Sequence, residues 1–189
     1  MLSISKMPSP AKDRQLLELF LNEQTKHWHF NQLVKAAKIS EPRALHWLKK
    51  WVKEGLIKHV KLEGRLPYFI ANYDNPCYKI KKKLYALTCM YETGFLAFLQ
   101  SLQKAKTVVI FGSFARSDWY TDSDIDVFIY GDLDQLKTVS WWEGLSREIQ
   151  VHIFKSKEEI RSIRSGIMNN IVKGYFVKGS IHDLAEVSI

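Results

Sequence analysis

Cysteine is scarce in this chain: two in 189 residues, Cys77 and Cys89. Two cysteines build no disulfide framework and match no metal-ligand spacing, so they read as reduced thiols, as expected of a cytoplasmic protein. No apolar stretch approaches ~18 residues, which excludes a membrane-spanning helix and makes a membrane partner unexpected. The first ten residues, MLSISKMPSP, lack the apolar centre of a signal peptide. Internal repeats and low-complexity tracts are missing as well.

Core-forming material is ample, at 46% hydrophobic and 13% aromatic residues. The length suits one large domain or two small ones. Charge divides the chain unevenly. Residues 1–83 carry 17 Lys and Arg against 7 Asp and Glu, and the remainder carries 11 against 13. A basic front module and a near-neutral rear one follow, with a phosphate backbone the expected partner of the front.

The most informative stretch is 107–130. Val108, Val109, Ile110 and Phe111 form a short apolar run that stops at Gly112-Ser113. Ten residues later Asp124 and Asp126 alternate with Ile125, Val127, Phe128 and Ile129. Both runs are rich in β-branched and aromatic residues and bounded by turn formers, so both are predicted strands. Alternation puts Asp124 and Asp126 on one face, about 6.6 Å apart along the strand. Two carboxylates there make a hard-oxygen site suited to Mg²⁺, which takes one or two carboxylates plus substrate phosphates. Gly112 permits a tight turn and close approach of a ligand. Ser113 is a candidate cap for a following helix whose free N–H groups face an anion, and Arg116, one turn on, could add a charged contact. The plainer alternative is an ordinary turn and a solvated strand end, against which stands the depletion of acids in strands.

Gly-Ser, ten residues, Asp-x-Asp closely resembles the signature of the minimal nucleotidyltransferases of the polymerase-β-like superfamily, over roughly residues 105–178. The resemblance implies that Gly112 and Ser113 hold a nucleoside triphosphate. It also implies that Asp124 and Asp126 are catalytic and bind up to two Mg²⁺ ions, assisting transfer of a nucleoside monophosphate to an acceptor. The family's third carboxylate lies on a neighbouring strand, here Arg147–Phe154, where Glu148, Gln150 and His152 share a face. Aligned on Arg147, the third position falls on Gln150, which brings no negative charge and cannot act as a base. A shift by two places Glu148 or His152 there instead, and the sequence leaves this open.

Upstream, residues 12–25 are an amphipathic pattern with Leu16, Leu17, Phe20 and Leu21 on one side. His27–Phe30 reads as extended. Asn31 is the expected cap of a short helix, and Ser40 the cap of a longer one with Pro42 in its first turn and Gly55 ending it. Segments 56–62 and 66–70 read as a hairpin with a basic tip. Helix, helix, helix, hairpin resembles the winged helix-turn-helix over residues 10–73. In the third helix Ala44, Leu45, Leu48 and Val52 form the expected inward face, and Arg43, His46, Trp47, Lys50 and Lys53 lie on another. Such a helix would enter the major groove of DNA with Arg43 nearest the bases and the lysines nearer phosphates, Lys61 and Arg65 sitting on the wing. A solvated basic face serving protein contacts is the alternative. His27 and His29 suggest one polar strand face before they suggest a metal, because no third ligand follows. His46, His59 and His182 read as surface residues.

Residues 74–104 form a helical connector. Lys79 and Lys81–Lys83 extend the basic surface, and Leu84, Leu87, Tyr91, Phe95, Phe98, Leu99 and Leu102 keep helical spacing across a break at Gly94. That apolar face serves either as core or as a homodimer contact. Residues 133–145 are predicted helical, with Trp141-Trp142 packing. Ser156–Glu159 is a capping box opening a helix that holds Ile160, Ile163 and Ile167, before a final helix and a short segment at Tyr175.

The expected fold class is α+β: an N-terminal winged helix-turn-helix, a helical connector, and a C-terminal nucleotidyltransferase-like α/β domain at 105–178, whose small mixed sheet has helices on one face. The expected function is a cytoplasmic DNA-binding protein with a Mg²⁺-dependent nucleotidyltransferase domain. Two rivals accompany it: a transcriptional regulator whose transferase fold only senses nucleotide or dimerises, and an antitoxin-type transferase that modifies a partner protein.

Overall fold

The computed structural model describes residues 12–132, 141–142 and 144–185. The chain divides into two compact units, Met1–Lys79 and Ile80–Ile189.

The first unit holds α1 (Lys12–Asn22), α2 (Phe30–Ala37), α3 (Glu41–Lys53) and an antiparallel hairpin of β1 (Ile57–Val60) and β2 (Tyr68–Ala71). Leu16, Phe20 and Leu21 of α1, Leu33 of α2 and Leu48 of α3 are fully buried, so the helices meet on the stripes their spacing dictates. Trp28 bridges to Phe69 through two backbone hydrogen bonds of 2.8 Å, attaching the extended segment to the hairpin. Pro42 stands in the first turn of α3, and Gly55, at φ +72°, follows its C-cap Glu54.

Two expectations fail locally. Helix α2 is capped at His29, whose N–H donates to Gln32 Oε1 at 3.1 Å, and Asn31 lies inside the first turn. The inward face of α3 is Ala44, Leu48 and Trp51, while Leu45 and Val52 are exposed. An aliphatic spacing of seven was a weaker guide than the bulk of Trp51, which covers more core per residue.

The second unit is built on a five-stranded mixed sheet. Its strands are β3 (Ala105–Phe111), β4 (Ile125–Gly131), β5 (Trp141–Trp142), β6 (Arg147–Phe154) and β7 (Tyr175–Lys178), in the order β5-β6-β4-β3-β7. Only β4 and β6 run parallel. On one face Val109, Phe111 and Phe128 pack with Ile160 of α7 (Lys157–Arg161), Ile171 of α8 (Ser165–Val172) and Leu184 of α9 (Ile181–Ala185). The opposite face carries Val108, Ile110, Ile125, Val127 and Ile129, all buried. There Ala86, Leu87 and Met90 of α4 (Pro76–Glu92) gather with Ile110 around a small apolar recess. Both faces are therefore covered, not one. The continuous apolar runs of β3 and β4 are the sequence mark of that double burial.

Helix α4 ends at Glu92, and Gly94, φ +75°, is the N-cap of α5 (Phe95–Gln100). Its inward face differs from expectation: Tyr78, Lys82, Ala86 and Met90 are buried, while Leu84 is 56% and Tyr91 76% exposed. Lys82 is thus interior, not part of the basic surface. Ser156 caps α7 by accepting from the Glu159 N–H at 3.2 Å, as its sequence required. The helix then stops at Ser162, and Ile167 belongs to the separate α8. Helix α9 went unforeseen. The helix expected at 133–145 falls largely outside the described residues, but Trp141-Trp142 form a strand paired to Arg147 and Glu148. Among the described residues no helix is long and apolar enough to cross a membrane.

Candidate functional site

Strand β3 pairs antiparallel with β4 so that Phe111 stands opposite Asp126. The chain leaves β3 at Gly112 and turns at once into α6 (Gly112–Arg116). Gly112 has φ +70°, and a side chain there would collide with the Asp126 carboxylate, its Cβ coming within 2.9 Å of Asp126 Cγ. Glycine is required twice over, by backbone conformation and by space. Register fixes the neighbour on the other side as well. Strand β6 runs parallel to β4 with Gln150 beside Asp126 and His152 beside Phe128. Paired residues share a face, so Asp126, Gln150 and His152 all point the same way.

Asp126 is half-buried. Burial pushes its carboxyl above the usual range; the nearby His152 opposes that, the charge of Asp124 adds to it, and Arg116 opposes it again. The His152 Nε2 atom is itself buried and lies 3.6 Å from Asp126 Oδ1, beyond a good hydrogen bond. Its ring stands edge-on to Phe111 at 5.3 Å. Asp124 precedes β4 by one residue and is exposed. The pair is thus graded: one carboxylate at the strand end in solvent, one drawn against the glycine turn.

The other residues singled out by sequence fall as follows. Ser113 is not the cap of α6; Phe111 occupies that position, and Ser113 lies in the first turn. Arg116 is exposed and pairs with Asp118 through Nε at 2.9 Å. Glu148 and Gln150 are exposed on β6. Among the described residues no three His, Cys, Asp or Glu side chains form a ready cation cluster. A cation here would draw on Asp124, Asp126 and the Gln150 carbonyl, completed by ligand oxygens. That donor set, two carboxylates and an amide carbonyl, is the all-oxygen kind that a hard divalent ion takes.

In the first unit Arg43, His46, Lys50 and Lys53 are exposed along α3, and Lys61 and Arg65 at the hairpin. Trp47 is half-buried, with His46 edge-on at 5.6 Å and the Lys50 ammonium 4.7 Å above its ring. Arg43 pairs with Asp13 at 3.2 Å and Lys50 with Glu54 at 3.9 Å. The remaining histidines have structural partners: His27 stacks on Tyr68 at 3.9 Å, and His59 on Phe69 at 4.3 Å. His29 Nδ1 lies 3.0 Å from the Pro67 carbonyl oxygen.

Sequence reasoning passed over the packing of the loop between α6 and β4. Trp119, fully enclosed, stacks parallel on Phe114 at 5.2 Å, and the buried Lys82 ammonium lies 4.2 Å from its ring. Burial brings the Lys82 ammonium down to about 7, with Asp118 pulling it up and Arg147 pushing it further down. Lys82 shares the four-residue stripe of Tyr78, Ala86 and Met90, but the stripe of Leu84 and Tyr91 fits helical spacing equally well. Nothing in the sequence pattern marked Trp119.

A small mixed sheet, a glycine turn at the end of β3 and an acid pair at the start of β4 define a compact α+β unit with one polar end. Residues 93–174 of the chain match the family model of the nucleotidyltransferase domain, which supports reading this stretch as such a domain. No curated protein and no solved structure matches the chain.

Proposed function

We propose that the second unit transfers a nucleoside monophosphate from a nucleoside triphosphate to an acceptor, and that the first unit binds DNA as a winged helix. The observation that carries the transferase reading is the Gly112 turn set directly against the Asp126 carboxylate. A turn with no side chain lets phosphate oxygens approach the backbone beside the acids. Gly112 and Ser113 supply that approach, and Arg116, exposed and within electrostatic reach of Asp126, adds positive charge for the phosphates. Asp124 and Asp126 would hold Mg²⁺, which when bound offsets charge on the attacking and leaving oxygens. Burial and Asp124 work against ionised Asp126, and a cation would add to the opposing pull of His152 and Arg116.

Gln150 favours a second reading. It stands beside Asp126, and alignment on Arg147 gives it the place of the resemblance's third carboxylate. A neutral amide there removes a base and a charge, so the domain would bind nucleotide and leave chemistry undone, serving a transcriptional regulator as its sensor. For DNA binding the support is the exposed Arg43, Lys50, Lys53, Lys61 and Arg65 in a unit with a strongly basic sequence. The exposed face of α3 offers the charge that phosphates require.

Calorimetric titration of the four nucleoside triphosphates with Mg²⁺, on the wild type and on Asp124→Asn/Asp126→Asn, tests the core of this account. Mg²⁺-dependent binding that the double variant loses is expected. Equal binding by both proteins, or none by either, would end the transferase and sensor readings together. Release of pyrophosphate on adding acceptor candidates then separates the two.

A further inference from the structure

The loop that delivers Asp124 and Asp126 is gripped by its own carbonyl oxygens. Lys82 Nζ donates to the Trp119 oxygen at 2.5 Å. Arg147 NH1 donates to the oxygens of Tyr120 at 2.9 Å, Thr121 at 2.6 Å and Ser123 at 3.0 Å. Four of the five carbonyls in 119–123 thus accept from two cations on different elements, α4 and β6. The rings complete the grip. The Arg147 guanidinium lies 5.1 Å from both the Phe114 and the Trp119 ring, on the stack that Lys82 approaches. Within the loop, the Tyr120 N–H donates to Ser123 Oγ at 2.9 Å, closing a turn just before Asp124.

The register explains why Arg147 can do this. Ile149 pairs with Ile125 in parallel, so Arg147, two residues earlier, lies alongside the residues entering β4. The strand that presents Gln150 to Asp126 also anchors the approach to Asp126. From α4, Lys82 donates to Trp119 in either protonation state, so its hold does not depend on retaining charge.

We propose that Lys82 and Arg147 are positioning residues, which fix the 119–123 loop by its carbonyls and thereby set Asp124 and Asp126 for a divalent cation and its nucleotide. This rests on the nucleotidyl-transfer reading for the cation's role. A loop without regular structure holds polar backbone groups that must find partners, and two cations spanning four of them replace a strand's hydrogen bonds. Groups that orient ligands without touching the ion typically matter ~10–100-fold in metal affinity.

The test uses the full chain with Lys82→Met, Arg147→Met and Arg147→Lys. Hydrogen–deuterium exchange over peptides spanning 117–126 reads the loop, electron paramagnetic resonance titration with Mn²⁺ alone reads the acids, and thermal unfolding reports folding. Arg147→Met should raise exchange in the loop and weaken Mn²⁺ binding on the order of tenfold or more. Arg147→Lys, with three donors for three carbonyls, should recover most of both. Lys82→Met should act in the same direction. If Lys82→Met fails to fold, the Arg147 pair decides alone. Faster loop exchange with Mn²⁺ affinity unchanged would overturn the proposal, as would unchanged exchange. Failure of the underlying reading looks different: Asp124→Asn/Asp126→Asn would bind Mn²⁺ like the wild type, or the wild type would bind none. The cation role then falls, while exchange still reports whether the grip exists.

Discussion

Asp126 and Arg43 are both charged residues on regular elements, and their surroundings could hardly differ more. Asp126 stands half-buried beside a glycine whose positive φ and close approach both disfavour a side chain, and burial and Asp124 oppose its ionised form while His152 and Arg116 favour it. Arg43 is exposed on α3 and already neutralised by Asp13 at 3.2 Å. A half-buried charge whose ionised form burial disfavours gains from a further cation, so its position constrains the ligand. A charge resting in solvent with a partner is compatible with DNA, with another protein or with water alone. The second unit therefore carries a chemical argument, and the first carries an electrostatic one.

The sharpest way to break this contrast is to neutralise both kinds of charge and compare. Asp124→Asn/Asp126→Asn should weaken Mg²⁺·nucleotide binding beyond the ~10–100-fold that supporting residues command, with folding retained because Asn keeps the shape and removes a burial cost. Isothermal calorimetry beside a thermal melt checks both halves.

Next in size is Gly112→Ala. Left-handed backbone costs a side-chain residue roughly 1–2 kcal/mol, and the new methyl must also displace the Asp126 carboxylate. Urea unfolding should show at least that loss, with nucleotide binding falling in parallel. A variant of unchanged stability and affinity would mean that the turn relaxes freely and the site is not built around it.

For the first unit the expected effect is smaller and depends on salt. Arg43→Ala with Lys50→Ala should leave stability within about 1 kcal/mol, since both pairs are exposed. Duplex binding measured by anisotropy across salt concentrations should weaken, with the log–log slope shallower by about 1 for each phosphate left without its cation. An unchanged slope would remove α3 from the interface and favour a protein partner for that face.

Legibility followed the same divide. The site strands were readable because apolar residues on both faces leave few alternatives, and Asp126 interrupted that run where only a polar role explains it. The turn at Gly112 was readable because φ above zero selects glycine. What the sequence concealed depends on tertiary contact. Leu84 and Tyr91 match helical spacing as well as Tyr78 and Met90 do, and only packing decides which stripe turns inward. Lys82 misled because lysine is almost never fully buried, and its partner is a carbonyl oxygen thirty-odd positions away, invisible to any local pattern. The cap at His29 was hidden because histidine is no ordinary capping residue. The β4–β6 register sets Gln150 beside Asp126, a pairing that only the folded sheet reveals.

The smallest expected effect concerns acid stability in the second unit. The backbone N–H of Ser180 donates to Asp183 at 2.8 Å, and Lys106 and Thr107 add polar partners at 3.2 and 3.1 Å. Those bonds hold the Asp183 carboxyl below its ordinary value in the folded chain. Its contribution is therefore present above pH ~4, the unfolded carboxylate value, and lost as pH falls through the lower folded value. Asp183→Asn should flatten part of the stability decline below that pH and cost no more than about 1 kcal/mol at pH 7 from the altered bonds. Chemical denaturation at pH 3, 5 and 7 reads this directly.

The central claim is that the Gly112 turn and the acid pair form one triphosphate–cation site. The most direct measurement is crystallographic: the full chain with Mn²⁺ and a nucleoside triphosphate analogue that cannot be cleaved between its α- and β-phosphates, with anomalous scattering recorded at the manganese edge. The account predicts an anomalous peak bound by Asp124 and Asp126, with the phosphates against Gly112 and Ser113. Manganese or nucleotide bound elsewhere, with the acid pair bare in a fully loaded crystal, would contradict it.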